Sequence, residues 1–282
     1  MHHVGIIGYP LGHSISPIFQ QAAFDHYRLD ATYERWETPE DQLKSRVESL
    51  RLEENRGANV TVPYKEQVIP FLDGLRGDAA AINAVNVIFK EGGSLLGTNT
   101  DVYGFLHALE VDGHFDPRGK RVVVIGAGGV ARAVVYALLK AGASRVTVAN
   151  RGAERAHKLL GDLRRFVSTG QEAAVVTLDK DSVAPILRDC HLLVNCTSLG
   201  MKGSQERDTP LPEDLIPPGA LAYDLVYNPT ETVFLKEARA AGARTLGGLP
   251  MLVYQGAASF ELWTGREAPI DIMLESARQA LR

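Results

Sequence analysis

The sequence predicts an α/β protein of two domains, and three observations carry that prediction. Short β-branched runs alternate with stretches of helical period along nearly all of the 282 residues, the pattern of βαβ units and parallel sheets. The continuous apolar run Arg121–Ile125 passes directly into Gly126-Ala127-Gly128-Gly129-Val130-Ala131 and a helical segment, the strand–turn–helix setting of a Rossmann-type dinucleotide site. The breakers Gly113, Pro117 and Gly119 fall just before that run, so the alternation restarts there, as at the opening of a second domain.

The first domain is expected over residues 1–101, as an α/β domain. Its strands are read at Val4–Gly8, Ala31–Trp36, Ala58–Val62 and Val85–Lys90, with helices near Pro17–Tyr27, Pro39–Leu50 and Lys65–Leu72. Pro63 ends the third strand because it has no N–H to give to a ladder. No dinucleotide fingerprint occurs in this part. The second domain, 102–248, starts with an amphipathic stretch at Val102–Leu109. It continues through Arg121–Ile125, a helix to Lys140, a strand at Arg145–Ala149, a helix from Ala153, and strands near Leu192–Cys196 and Leu221–Val226. The tail, 249–282, reads as helical over Leu249–Trp263 and Pro269–Leu281 and is too apolar for a free linker. It is expected to pack back onto the first domain and complete it.

Composition narrows the partners. Thirty Lys and Arg against 34 Asp and Glu give a net charge of −4, with no long run of one sign. Nothing points to a nucleic acid or an anionic membrane surface, so an anionic ligand has to be met by local groups. The two cysteines, Cys190 and Cys196, fit neither a zinc knuckle nor a redox pair and read as buried thiols of a reduced compartment. No metal-ligand cluster is read. The start of the chain has no basic leader, and no segment approaches the roughly 18 uninterrupted apolar residues of a membrane span. A cytoplasmic protein with a small-molecule substrate is expected; the oligomeric state is left open, with a homodimer as the assembly considered.

The nucleotide turn has a physical reading. Gly126 permits the tight turn, Gly128 lets backbone approach a pyrophosphate, and Ala131 lets the helix pack close to the strand. The helix start adds unpaired N–H groups and a positive dipole end. Where an NAD enzyme places an acid after the next strand, this chain has Asn150 and Arg151, with Arg155 one helical turn on. Two guanidiniums suit a 2′-phosphate that a carboxylate would repel, so the expected cofactor is NADP.

Hydride transfer to or from a nicotinamide also needs a group that gives or takes a hydroxyl proton. Candidates at strand ends of the first domain are Ser14, Ser16, Thr61, Lys65, Asn86 and Asp101. An ammonium at Lys65, oriented by Asp101, suits donating a proton or stabilising an alkoxide. Taken singly several have a bland alternative: the serines are N-cap or turn hydroxyls for the helix that starts at Pro17, Asn86 and Gln255 are structural amides, Lys65 is a solvated turn residue, and His13 is a packed or capping histidine.

The segments GYPLGHSISP, GANVTVPYKE, AVNV, LLGTNTD, VIGAGGVARA, ANRG, YDLVYNPTET and LPMLVYQGAASFELW resemble, in this order and spacing, the shikimate dehydrogenase family, from about Val4 to about Gly265. The resemblance implies NADP-dependent, reversible oxidation of the shikimate 3-hydroxyl to 3-dehydroshikimate, on the route to chorismate and the aromatic amino acids. It also implies that Ser14 and Ser16 hold the substrate carboxylate, that Thr61, Asn86 and Gln255 hold its hydroxyls, and that Tyr227 lies close to it. Lys65 and Asp101 are the implied catalytic pair, so the resemblance implies that the first domain binds substrate and carries the catalytic groups. Gly126–Ala131, Asn150, Arg151 and Arg155 are implied to bind NADP, with Leu225 and Gly248 lining the nicotinamide. The chain departs from the family pattern at Val87, Val102, Gly152 and Pro250; Gly152 replaces a threonine whose hydroxyl would reach the 2′-phosphate. The alternatives weighed are an NAD-dependent quinate/shikimate dehydrogenase, against which Asn150-Arg151 argues, and a non-catalytic module that binds NADP or shikimate.

Overall fold

Two six-stranded sheets organise the described residues, 1–203 and 206–282, of the computed structural model. They belong to two units: residues 1–104 with 253–280 and 282, and residues 105–252 with 281.

The first unit contains β1 (His2–Gly8), α1 (Ser16–His26), β2 (Ala31–Glu37), α2 (Leu43–Ser49), β3 (Asn55–Val60), β4 (Gly74–Leu75), α3 (Asp78–Ile82), β5 (Val87–Glu91) and β6 (Ser94–Thr98). Its sheet runs β2-β1-β3-β5-β6-β4. It is mixed rather than wholly parallel: β1 pairs in parallel with β2 and β3, whereas β5 is antiparallel to both β3 and β6. Gly92-Gly93, both at positive φ, make the tight β5–β6 reversal that a parallel pair would not allow. The core is apolar and closed, with Ile7, Val47, Leu50, Val68, Val85 and Ile88 packed against Trp36 and Tyr64.

Three expectations need correction here. No α-helix forms over Lys65–Leu72; the segment is a set of turns ending in a 3₁₀ turn at Ile69–Phe71, because Pro70 lacks the N–H that an α-helical bond requires. The expected helix at Pro39–Leu50 is shorter, a 3₁₀ turn at Glu40–Gln42 leading into α2. The third strand stops at Val60, two residues early. Residues 253–280 of the tail belong to this unit. Gln20 Nε2 donates to the Gly256 carbonyl at 2.8 Å and Trp263 Nε1 to the Ile88 carbonyl at 3.0 Å. A Cβ at Gly256 would lie 2.6 Å from the Phe19 ring, so only glycine lets that helix approach α1 so closely.

The chain passes between the units within α4 (Asp101–Val111) and within α9 (Leu249–Thr264); α10 (Ile270–Ala280) ends it. Between α4 and α9 come β7 (Arg121–Ile125), α5 (Gly129–Lys140), β8 (Arg145–Asn150), α6 (Ala153–Leu163), β9 (Glu172–Thr177), α7 (Lys180–Leu187), β10 (Leu192–Asn195), β11 (Leu221–Asp224), α8 (Val233–Ala240) and β12 (Arg244–Leu246). This second sheet is fully parallel in the order β9-β8-β7-β10-β11-β12, the doubly wound 3-2-1-4-5-6 order, whose switch point lies between β7 and β10. Its central strands are apolar without alternation, as burial on both faces demands. Sequence reading omitted β9, α7, α8 and β12. Pro185 inside α7 reads as a breaker, yet the helix is secured at its start, where the Asp179 carboxylate accepts from Ser182 N at 2.9 Å.

Candidate active site

Strand direction explains why the polar residues of the first unit meet. β1 and β3 run in parallel, so the chain leaves both at one edge, with Ser14 and Ser16 after β1 and Thr61 and Lys65 after β3. Because β5 is antiparallel to β3, with Asn59 paired to Val87, the start of β5 lies at that same edge and brings Asn86 there. β6 reverses again, with Thr98 opposite Val87, and delivers Asn99, Thr100 and Asp101. Four chain segments thus share one edge of the sheet, and those carrying Lys65, Asn86 and Asp101 meet where α4 begins.

The centre of that edge is an ion pair. Lys65 Nζ donates to Asp101 Oδ2 at 2.6 Å, with only 15% and 7% of the two side chains exposed. Taking two such charges out of water costs several kcal/mol each, and a pair at this depth needs further hydrogen bonds to persist. Asn86 Nδ2 donates to Asp101 Oδ1 at 2.9 Å. The Asn99 carboxamide oxygen accepts from Asp101 N at 3.0 Å, and the carboxylate stands at the positive end of α4. Asn86 is itself held, its oxygen accepting from Thr100 N at 2.7 Å and its amide also donating to Thr100 Oγ1 and Gln255 Oε1. Asn86 therefore orients Asp101, and Gln255 Oε1 in turn holds the Asn86 amide.

A second tier of buried groups, not identified from sequence, stands behind them. Thr100 Oγ1 donates to the Gln255 carbonyl at 3.0 Å, Asn59 Nδ2 donates to Ser259 Oγ at 3.0 Å, and Tyr33 OH donates to Asn59 Oδ1 at 2.7 Å. The available signal was polar residues inside apolar runs, as Asn59 sits in GANVTV.

Neither serine is the N-cap of α1, although Ser14 Oγ serves as a weak turn acceptor. α1 has no side-chain cap hydrogen bond, and among the described residues the contact of these hydroxyls is a 3.4 Å bond from Ser16 N to Ser14 Oγ. Their turn is held from β2. Arg35 Nη2 donates to the Ser14 carbonyl at 2.7 Å and Leu11 N donates to Glu37 Oε1 at 3.2 Å. Two hydroxyls left free to donate beside a guanidinium form a fit for a small carboxylate. His13 is exposed and is neither packed nor capping.

In the second unit, Gly126 has φ +104, and a Cβ there would meet Thr197 Cγ2 at 3.0 Å. Gly128 caps α5 with no side-chain hydrogen bond, and a Cβ on it would enter open space. The first-turn N–H groups of α5 therefore face a backbone-lined cradle suited to a pyrophosphate, while Ala131 is fully buried. Arg151 and Arg155 are exposed at the start of α6 and make no ion pair among the described residues. Asn150 Nδ2 closes the same turn on the Gly152 carbonyl at 2.7 Å. These residues fit a dinucleotide with a phosphate on its ribose. Leu225 and Tyr227 lie in the segment after β11. A Cβ at Gly248 would come 2.3 Å from the Leu225 carbonyl, so that approach also requires glycine.

A cavity of about 680 Å³, lined by Lys120, Arg121, Arg188, His191 and Arg244 among others, opens at the starts of β7, β10, β11 and β12. That is the sheet edge opposite the Gly126 turn, and none of the candidate residues lines it. Burial pushes the Cys190 thiol up to about 12 and raises Cys196 as well, so neither is a nucleophile at neutral pH. No helix among the described residues is long and apolar enough to cross a membrane.

Comparison with known proteins agrees with this geometry. Residues 6–88 match the model of the shikimate dehydrogenase substrate binding domain, 110–199 that of shikimate/quinate 5-dehydrogenase, and 248–278 that of the shikimate 5′-dehydrogenase C-terminal domain. The chain is 47% identical to the shikimate dehydrogenase (NADP(+)) of Moorella thermoacetica, over 99% of its own length and 93% of the relative's. It superposes on a crystal structure of shikimate 5-dehydrogenase from Thermus thermophilus in complex with NADP(H) and shikimate with a TM-score of 0.87 at 40% identity, covering all of both chains. A quinate dehydrogenase from Corynebacterium glutamicum in complex with NAD is also similar, with a TM-score of 0.89 at 30% identity, covering 99% of both chains. The chain is thus a member of the shikimate/quinate dehydrogenase family.

Proposed function

We infer that the chain is an NADP-dependent shikimate dehydrogenase, which reversibly oxidises the shikimate 3-hydroxyl to 3-dehydroshikimate. The observation that carries the chemistry is the Lys65–Asp101 pair, held at 2.6 Å and buttressed by Asn86. NADP, when bound, supplies the hydride acceptor. In the reducing direction the Lys65 ammonium donates a hydrogen bond to the substrate carbonyl oxygen, stabilises the charge developing there, and transfers a proton to it. Asp101 Oδ2 takes a second ammonium hydrogen and keeps the donor aimed. In the oxidising direction the same pair accepts the hydroxyl proton. Ser14 and Ser16 donate to the substrate carboxylate, and Thr61, Asn86, Gln255 and Tyr227 are assigned to the remaining substrate contacts. Gly126–Ala131 hold the pyrophosphate, Arg151 and Arg155 the 2′-phosphate with Asn150 shaping their turn, and Leu225 and Gly248 border the nicotinamide.

NADP is favoured over NAD by Arg151 and Arg155, with no acid at the end of β8. The test is growth of the reduced-nicotinamide absorbance when the chain is mixed with shikimate and NADP, compared with quinate and NAD. Faster turnover of shikimate with NADP is expected. Faster turnover of quinate with NAD would overturn the reading, and binding of both ligands without any absorbance change would make the chain a binding module.

A further inference from the structure

Asp224, the last residue of β11, is fully buried and has no part in the chemistry above. Its carboxylate has no lysine or arginine partner among the described residues and instead collects three neutral donors. Oδ1 accepts from Asn195 Nδ2 at 2.9 Å and from Val226 N at 3.0 Å, and Oδ2 accepts from Thr232 Oγ1 at 2.6 Å. Asn195, the last residue of β10, is equally buried. Its oxygen accepts from Thr197 N at 3.0 Å and Thr197 Oγ1 at 2.7 Å, and its amide also reaches the Leu199 carbonyl.

These bonds join the segments after β10 and β11 to the start of α8. Gly126 packs against Thr197 and Cys196, to which a Cβ would come within 3.0 and 3.3 Å. Lys202 N donates to the Asn228 carbonyl at 2.9 Å, tying the segment after β10 to the segment after β11. Gly248 closes on Leu225 from the far side, with Gly248 N donating to the Val226 carbonyl at 3.3 Å. An ionised carboxylate is a costly choice for a purely structural link, since burial without a cation disfavours its charged form. Here burial raises Asp224 to about 6 in spite of its three hydrogen bonds.

We propose that Asp224 and Asn195 form a buried positioning hub, which fixes the segments after β10 and β11 against the Gly126 turn and so shapes the nicotinamide half of the cofactor site. The inference rests on the NADP reading above. Asp224 is a positioning residue, acting through Asn195, Val226 and Thr232.

The two halves of the cofactor can be read separately. Adenosine 2′,5′-bisphosphate reports on the adenine end alone, whereas kcat and the NADP KM report on the whole. In Asp224→Ala, kcat should fall about tenfold or more and the NADP KM should rise, with the Kd for the bisphosphate within about threefold of wild type. Asp224→Asn should restore kcat to within about threefold of wild type, because its amide oxygen still accepts from Asn195 and Val226. Should Asp224→Ala not fold, Thr197→Val removes one bond of the hub conservatively and should lower kcat about threefold or more while leaving bisphosphate affinity unchanged. A folded Asp224→Ala with wild-type kcat and NADP KM would overturn the hub, as would bisphosphate affinity falling in step with NADP affinity. An inert Thr197→Val would do the same. Failure of the wild-type chain to bind the bisphosphate would instead overturn the NADP reading itself.

Discussion

Each unit buries one carboxylate at the carboxyl edge of its sheet, and the two are treated oppositely. Asp101, 5% exposed, receives the Lys65 ammonium at 2.6 Å and sits at a helix start. Asp224, fully buried, receives an amide, a backbone N–H and a hydroxyl, and no cation. The first arrangement puts a proton donor and its counter-charge side by side at the rim of the sheet, where a ligand hydroxyl or carbonyl can join them. The second is met by three protein donors and faces no cation among the described residues. In the proposed reading, the carboxylate paired with a cation is the one assigned to chemistry, and the one held by neutral donors is assigned to positioning backbone.

The sharpest way to break that comparison is to make the same substitution in both places. Asp101→Asn leaves Lys65 without its counter-charge and should lower kcat about a hundredfold or more, against about threefold for Asp224→Asn. Steady-state rates with shikimate and NADP check this, and equal losses would erase the distinction.

Stability against pH gives a second separation. Asp224 is raised from 3.8 to about 6 in the folded chain, with burial as the main cause. Well below pH 3.8 the group is protonated in folded and unfolded chains alike, and its neutral form contributes fully. As pH rises, the unfolded chain ionises first, so the folded state loses stability until pH passes about 6, where the loss levels off at about 3 kcal/mol. Asp224→Asn cannot titrate. Relative to that variant, the wild type should therefore become progressively less stable between pH 4 and 6.5 in urea titrations. A difference that stays flat would mean that the carboxylate is solvated.

The smallest effect belongs to the exposed surface of the second unit. Arg151→Ala should raise the NADP KM about tenfold and leave NAD kinetics nearly unchanged. Equal losses with both cofactors would mean that the guanidinium acts on the fold rather than on a 2′-phosphate.

How much was legible in the sequence differed between the two units for a physical reason. In the second unit, local signals suffice: the apolar run of β7, Gly126 at positive φ, and Ala131 packed at 0% exposure follow from rules that act within a dozen residues. In the first unit, Lys65, Asn86 and Asp101 stand out as polar residues at strand ends. Their meeting, however, depends on the antiparallel turn-back of β5 and β6, which is a long-range pairing with no local marker beyond Gly92-Gly93. Pro70 and Pro185 show the limits of a breaker rule. The first does stop an α-helix, and the second is accommodated in α7. The Asp224–Asn195 hub was invisible because each residue alone looks like an ordinary polar strand end, and only parallel pairing, Asn195 beside Asp224, makes them one feature.

Whether Lys65 does proton chemistry rather than merely binding is decided by Lys65→Ala, with kcat measured beside shikimate and NADP affinities. The expected result is a fall in kcat of about a hundredfold to ten-thousandfold, with NADP affinity unchanged and shikimate affinity reduced by less than about tenfold. A kcat within about threefold of wild type, or a loss confined to shikimate affinity, would contradict it.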